Sequence, residues 1–305
     1  MLLLLIFDSK TKELAWCFWR TLMAQFLLLN VRVVVKYQVL ICNMIKQFRS
    51  IIGLYLFFGV VFHGYAGQIN VAVASNALAA IKVISSEFEK KTGHTVILSS
   101  GSTGKLYAQI INGAPFDVFL AANAKEPKNL EQKNLIVPGS RFTYALGKLV
   151  AWSSDVALLK SKDVKNALLA SPNTRVAIAN PKTAPYGLAA QQAIQKMGIW
   201  QSLQSKIIRG ENVSQTYQFA MTNNAQIGFV AKSQLKSNSH SVKGSYQEVP
   251  ADLYDPIRQQ AVWLLRSQNN KVAQQFIEFI KNDNKVKDIL TLQFGYGLEP
   301  IQSNS

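Results

Sequence analysis

The sequence predicts an α/β fold with two lobes, each a mostly parallel sheet flanked by helices, and three observations support this prediction. β-branched segments alternate with helical ones, as in parallel sheets covered by helices. About 240 residues follow position 66, which is enough for two lobes with ordinary cores. Several polar turns stand between a strand and a helix, at the edge where parallel sheets bind ligands.

The first half of this region begins with a β-branched strand, and the apolar spacing after it predicts a helix that ends at Gly93. A second strand leads through a glycine-rich loop into a short helix, and a buried-type strand follows a turn. In chain order, the segments are strand INVAVA, helix 76–91, strand HTVILSS, helix 106–111, strand FDVFLAA, helix 126–132 and strand YALGKLVAW.

The second half continues the alternation and shows no internal repeat. Its helices start after polar or proline-containing turns, which is typical of a helix N-terminus. In chain order, the segments are helix VKNALLA, strand TRVAIAN, helix 187–195, strand KIIRG, helix 213–221, strand QIGFVAK, the extended segments YQEVP and AVWLL, and helix 271–281.

An export signal is predicted near the N-terminus. Met44 is followed by basic residues at 46 and 49, an apolar run over 51–62, and Gly64-Tyr65-Ala66, whose small residues suit a signal peptidase. We therefore interpret residues 44–66 as a cleaved signal peptide and residues 1–43 as an extension upstream of the true start. An uncleaved anchor is the alternative, although about twelve apolar residues are few for a membrane span.

The composition of the remaining chain disfavours several classes of function. Positions 1–66 hold seven basic and two acidic residues, which leaves 26 basic and 15 acidic residues and a net charge of +11. The lysines are dispersed, so nucleic acid is not the expected partner. No cysteine follows position 66, and His94 and His240 have no supporting motif, so neither a zinc site nor a Ser-His-Asp enzyme, the alternative from another class, is predicted.

The loop SSGSTGKLYAQI over 99–110 resembles a nucleotide-binding P-loop only superficially. That motif needs a glycine where Ser99 stands and a serine or threonine where Leu106 stands. An ATPase is therefore not predicted. Free N–H groups and hydroxyls at a helix start still favour an anion.

Four junctions between a strand or loop and a helix carry such donors. They contain Ser75, Ser102 with Thr103, Tyr186 after a proline, and Val213 at the start of the next helix. Each also has an ordinary interpretation as a helix cap, worth about 1 kcal/mol. Two junctions lie in each half of the chain, so the sequence predicts that they meet in a cleft between two lobes. This cleft would be lined by hydrogen-bond donors, with no charged side chain required in it. A fully ionised tetrahedral anion needs only donors.

Six segments resemble the periplasmic molybdate-binding proteins of ABC transporters, over essentially the whole chain after position 66. They are VAVASNALAA, SSGSTGKLYAQIINGAPFDVFLAAN, NPKTAPYGLAAQQAI, GENVSQTY, IGFVAKSQL and FGYGLEP. The resemblance implies a two-lobed periplasmic-binding-protein fold that closes on molybdate or tungstate without a cofactor. It also implies a periplasmic monomer that is not an enzyme and delivers its anion to a membrane permease. Sulfate or phosphate remains the alternative ligand.

The resemblance assigns roles to the junction residues. Ser75 supplies a hydroxyl and an amide donor, and Thr103, with Ser102 beside it, supplies the second contact of the first lobe. Tyr186 and Val213 donate backbone N–H groups, and no side chain binds a metal ion directly. The implied lobes are residues 67–148 with 255–305, and residues 149–254.

One position departs from the family pattern. Known members have a tyrosine after the strand that corresponds to GFV, and its hydroxyl reaches the anion. This chain has Ala231 there, with Ser233 and Tyr217 as candidates for a replacement hydroxyl.

Overall fold

The computed structural model describes residues 16–25, 38, 40, 44, 66–160, 163–236 and 243–299. The chain divides into two units, Met1–Gly64 and Tyr65–Ser305. In the first unit, residues 16–25 form an exposed helix. The basic stretch and apolar run of the predicted signal peptide fall at 45–65, outside the described residues. No helix in the described part of the chain combines the length and the apolar character needed to cross a membrane.

The second unit contains two five-stranded sheets. The strands are β1 (Gln68–Ala74), β2 (Thr95–Gly101), β3 (Val118–Ala121), β4 (Phe142–Gly147), β5 (Leu149–Ser153), β6 (Val176–Ala179), β7 (Ile207–Gly210), β8 (Ile227–Ala231), β9 (Ser245–Glu248) and β10 (Ile257–Trp263). The sheet of the first lobe has the order β2-β1-β3-β10-β4, and that of the second lobe has the order β7-β6-β8-β5-β9. The predicted two-lobed α/β fold is thus confirmed.

Each sheet is mixed but has four of its five strands in one direction, as predicted, with β10 opposed in the first lobe and β5 opposed in the second. In the first lobe β1 is parallel to β2 and β3, whereas β10 is antiparallel to β3 and β4. In the second lobe β6 is parallel to β7 and β8, whereas β5 is antiparallel to β8 and β9. The antiparallel pairings all involve β5 or β10. Each of these strands follows a connection between the lobes, and neither connection contains a crossover helix of the kind that joins parallel strands.

The predicted strand YALGKLVAW is two strands in different sheets. β4 ends at Gly147 and β5 begins at Leu149, so the chain passes between the lobes at Lys148. It returns between β9 and β10. The predicted lobe limits at 148 and 254 fall in these two connections and stay a prediction.

Helices cover both faces of the sheets. They are α1 (Leu78–Thr92), α2 (Thr103–Ile111), α3 (Lys125–Gln132), α4 (Val164–Leu169), α5 (Pro185–Lys196), α6 (Trp200–Leu203), α7 (Val213–Met221), α8 (Lys232–Lys236), α9 (Lys271–Asn282) and α10 (Asn284–Asp288). In the first lobe, α1 and α9 share one buried apolar cluster with Val71 and Val73 of β1. Ala72 points to the other face, where α2 and α3 contribute Leu106 and Leu130. This alternation along β1 follows from the two-residue period of a strand.

Most predicted helix limits agree with the structure. α1 stops at Gly93, whose φ of 73° allows its N–H to donate to Glu89 O at 2.8 Å. α7 has the predicted limits, but α2 begins at Thr103 rather than Leu106, because Gly104 does not interrupt its first turn. The short helices α6, α8 and α10 were not predicted, since four or five residues carry too little periodicity.

Candidate functional site

All five predicted site residues line one small cavity between the lobes. Each is at most 9% exposed. The lining residues are Ala74, Ser75, Asn76, Gly101, Ser102, Thr103, Ala122, Ala184, Pro185, Tyr186 and Val213. None of these described residues carries a charge. Nor does any group of three or more His, Cys, Asp or Glu within the described ranges form a site for a metal ion.

Ser75 lies in the turn after β1 and has a different role from the predicted cap. The cap of α1 is Ala77, so the capping interpretation of Ser75 was wrong. Its backbone N–H donates to Gly101 O at 3.0 Å, because the parallel pairing continues one residue past the strand. In this conformation the Ser75 amide is therefore bonded to the neighbouring strand, and its role towards the anion stays a prediction. The Ser75 hydroxyl, by contrast, makes no hydrogen bond to any described residue and remains able to donate into the cavity.

Ser102 and Thr103 begin α2 at the end of β2. Ser102 occupies the cap position but forms no side-chain cap bond, and its buried hydroxyl has no partner among the described residues. Thr103 Oγ1 accepts the Ala122 N–H at 3.0 Å, which leaves the hydroxyl hydrogen of Thr103 to donate elsewhere. The N–H of Thr103 is also unpaired with described atoms. Buried polar groups normally have partners, so this corner of the cavity suits a hydrogen-bond acceptor.

The second lobe contributes the N-termini of α5 and α7. Pro185 opens α5 and has no N–H, so Tyr186 presents the first amide of that helix. In α7 the Asn212 side chain accepts from Ser214 N and Gln215 N at 3.0 and 3.1 Å. That cap leaves the Val213 N–H, like that of Tyr186, without a partner in the described part of the protein. The first N–H groups of a helix point out of its N-terminus, where the helix dipole favours negative charge.

Asn76 lines the cavity but was not predicted from the sequence. Its backbone N–H is unpaired in the described structure, whereas its carbonyl accepts from Ser233 Oγ at 3.0 Å and from Tyr296 OH at 3.1 Å. The only sequence signal was its place beside Ser75, directly after a parallel strand. Its N–H adds a donor to the cavity in a chain that lacks the family tyrosine.

The candidates for the missing tyrosine hydroxyl lie away from the cavity. Ala231 ends β8 and donates its N–H to Gln234 Oε1 at 3.0 Å. The Ser233 hydroxyl donates to Asn76 O and thereby holds the two lobes together. Tyr217 packs against Trp152, with ring centroids 4.9 Å apart and the ring planes tilted by 41°, and it lines a neighbouring groove.

Direct contacts between the lobes surround the cavity, so the structure has a closed arrangement. The Gly104 N–H donates to Thr183 O at 2.9 Å, and the Ser214 hydroxyl donates to Ser75 O at 3.3 Å. Lys105 and Glu211 form an ion pair at 2.6 Å across the cleft, on exposed side chains. Exposed pairs contribute only about 0–1 kcal/mol, so the contacts to backbone carbonyls are the more important part of this closure.

Buried tyrosines lie behind the cavity around Gln259. Burial raises the pKa of Tyr144 and of Tyr186 well above the ordinary tyrosine range, and it raises the pKa of Tyr296 to about 12. All three phenols are therefore neutral hydrogen-bonding groups at physiological pH.

We expect alkaline pH to destabilise the protein through Tyr296. The folded-state pKa of about 12 lies above the unfolded value of about 10, so its contribution is complete below pH 10 and is lost as pH rises towards 12. The free energy of unfolding should lose up to about 1.4 kcal/mol per pH unit in this window from one such group. Urea unfolding between pH 8 and 11 should show a shallower decline for Tyr296→Phe than for wild type. Parallel declines would contradict the assignment.

Comparison with known proteins agrees with this arrangement. The model of the family "Bacterial extracellular solute-binding protein" matches residues 69–293. The molybdate-binding protein ModA of Azotobacter vinelandii is 46% identical over 237 residues, which is 77% of this chain and 91% of that protein. ModA of Rhodobacter capsulatus is 43% identical over 246 residues, 81% of this chain and 94% of that protein. The solved periplasmic molybdate-binding protein of Azotobacter vinelandii superposes with a TM-score of 0.72 at 38% identity, covering 76% of this chain and 100% of that one. The chain therefore belongs to the family of bacterial extracellular solute-binding proteins.

Proposed function

We propose that this protein captures molybdate in the closed cavity and delivers it to the permease of an ABC transporter. The observation that carries the proposal is the lining: hydroxyls and unpaired N–H groups from both lobes, with no charged side chain among them. Relatives above 40% identity that are molybdate-binding proteins support the same ligand.

The proposed ligand shell is built from donors alone. Hydroxyls come from Ser75, Ser102 and Thr103, and backbone N–H groups come from Tyr186 and Val213. We add the Asn76 N–H to this shell. A charge-assisted hydrogen bond contributes roughly 1.5–3 kcal/mol, so a few of them beyond the cost of association give about −8 kcal/mol, or micromolar affinity.

This donor set also favours a fully ionised anion over one that keeps a proton. A protonated oxyanion needs an acceptor for its own hydrogen, and no carboxylate lines the described cavity. Tungstate has the same charge and shape as molybdate, and we propose that it also binds. Sulfate is smaller, so the donors of the two lobes would not all reach it at once.

We further propose a capture cycle outside the cytoplasmic membrane. The protein would be exported by the signal peptide over 44–66 and act as a periplasmic monomer. The anion would bind one lobe first and then favour closure, because only the closed form offers donors from both lobes. We also propose that the two connections between the lobes, at Lys148 and between β9 and β10, act as the hinge for this closure.

Calorimetric titration of the purified protein with molybdate, tungstate, sulfate and phosphate tests this function. We expect micromolar or tighter dissociation constants for molybdate and tungstate, and affinities weaker by about 100-fold or more for the other two. Tight sulfate or phosphate binding would support an oxyanion site but would show that its natural ligand is not molybdate. An absence of heat with all four anions, at more than one temperature, would overturn the proposal.

A further inference from the structure

A buried polar cluster lies directly behind the cavity and joins the two lobes. It consists of Asn76, Tyr144, Tyr186, Gln259 and Tyr296, and we call it the Gln259 cluster. All five residues are at most 5% exposed, and Gln259 itself has no exposed surface. Its members come from the start and end of the first lobe and from the second lobe.

The side chain of Gln259 connects the other members. Its Oε1 accepts from Asn76 Nδ2 at 2.9 Å and from Tyr144 OH at 3.0 Å. Its Nε2 donates to Tyr186 OH at 3.4 Å. Asn76 Nδ2 also lies 3.2 Å from Tyr296 OH, which donates in turn to Asn76 O. One amide thus connects a residue of the first lobe to a residue of the second.

The two residues joined in this way both present their backbones to the cavity. Asn76 and Tyr186 line it from opposite lobes, and their N–H groups have no hydrogen-bond partner in the described structure. The side chain of each residue is therefore held in the cluster while its backbone faces the cavity. A shift of either side chain would move an N–H group of the ligand shell.

The cluster also lies where the chain passes between the lobes. A Cβ atom on Gly147, the last residue of β4, would overlap the Tyr186 hydroxyl and would lie 3.0 Å from Gln259 Nε2. The pairing of β10 with β4 shifts register between Gln259 and Gln260. Such irregularities re-aim side chains, and here the neighbouring Gln260 contacts Arg141 and Thr143 within the first lobe instead.

We propose that Gln259 is a positioning residue for oxyanion capture, which sets the Asn76 and Tyr186 N–H groups at the separation that the closed site requires. This inference rests on the proposed function. A well-satisfied buried amide would also stabilise the fold in general, so the test must separate affinity for the anion from stability of the unliganded protein. The distinguishing effect is faster release of the anion, because loss of the bridge would free the Asn76 and Tyr186 N–H groups from the separation that holds the anion in the closed site.

The test compares Gln259→Leu with Gln260→Leu. Both remove a glutamine amide from adjacent positions of β10, but only the first removes the bridge between the lobes. We expect Gln259→Leu to weaken molybdate binding about tenfold or more, mainly through a faster dissociation rate, and Gln260→Leu to change it by less than about twofold. Calorimetry gives the affinities, and stopped-flow fluorescence with dilution gives the dissociation rates.

A second variant keeps the test decisive if Gln259→Leu does not fold. Tyr186→Phe keeps the ring and the backbone N–H and removes only the hydroxyl that contacts Gln259 Nε2. It should speed release by about threefold or more, and thermal unfolding without ligand measures the separate cost of leaving the buried Gln259 Nε2 without an acceptor. When both variants fold, their effects on release should not multiply, because they break the same bridge.

Three results would overturn the inference while leaving the proposed function intact. They are wild-type release rates in both Gln259→Leu and Tyr186→Phe, equal losses of affinity in the Gln259 and Gln260 variants, and independent effects in the double variant. Failure of the wild-type protein to bind molybdate would instead refute the proposed function, and this inference with it.

Discussion

Replacement of Gly104 by leucine is expected to weaken molybdate binding by about 100-fold or more, although the unliganded protein stays folded. Gly104 lies in the first turn of α2, and its N–H donates to Thr183 O of the other lobe at 2.9 Å. A Cβ atom at this position would lie 3.1 Å from both Cα and O of Thr183. A leucine side chain therefore cannot fit while the lobes are closed, and it would hold Tyr186 and Val213 away from an anion on the first lobe.

The same substitution should not harm the first lobe itself. Gly104 has ordinary helical backbone angles, and leucine is a better helix former than glycine by up to about 1 kcal/mol. Unliganded stability should therefore stay the same or rise, while affinity falls. This opposite response distinguishes a block of closure from general damage to the fold.

Calorimetry, thermal unfolding without ligand and small-angle scattering would measure this effect. Wild type should become more compact when molybdate is added, whereas Gly104→Leu should not. The matched control is Ala108→Leu, which adds the same side chain on the exposed face of the same helix. Wild-type affinity in Gly104→Leu would show that capture does not require the closed arrangement.

Local sequence patterns were sufficient to predict most of the fold and the position of the cavity. The strands and longer helices have strong periodicity, and the donor-bearing junctions lie at strand ends, where α/β folds bind ligands. The Asn212 side chain caps α7 by accepting from the amides of Ser214 and Gln215, as asparagine commonly does at a helix start. Local sequence could not show that Ser102, in an equivalent position, leaves its hydroxyl unpaired.

Features that depend on distant parts of the chain were not predictable in this way. In the run YALGKLVAW only Gly147 and Lys148 interrupt the apolar pattern, and so short an interruption did not indicate that the chain passes between the lobes there. Asn76 meets Gln259, which is 183 positions away, and a single sequence carries no signal of that contact. The directions of β5 and β10 likewise depend on how the chain crosses between lobes rather than on their composition.

The hydroxyl of Thr103 is expected to support both the fold and the ligand, so Thr103→Val should reduce stability and affinity together. The hydroxyl accepts the N–H of Ala122, which is 2% exposed, and valine of nearly the same shape would leave that N–H without an acceptor. An unsatisfied buried N–H costs about 1–3 kcal/mol of stability. Loss of the donated hydrogen should weaken molybdate binding by about 100-fold.

Ser75→Ala is the matched comparison, because the Ser75 hydroxyl lines the same cavity without a hydrogen bond to any described residue. Its removal should weaken binding by about 10- to 100-fold and leave unliganded stability unchanged. Calorimetry and urea unfolding of both variants would separate the two roles. Equal stability of the two variants would mean that Thr103 does not support Ala122, and wild-type affinity in either would remove that hydroxyl from the ligand shell. If affinity falls in both variants but stability falls only in Thr103→Val, the Ser75 hydroxyl serves the ligand alone. The Thr103 hydroxyl then serves both the ligand and the Ala122 N–H.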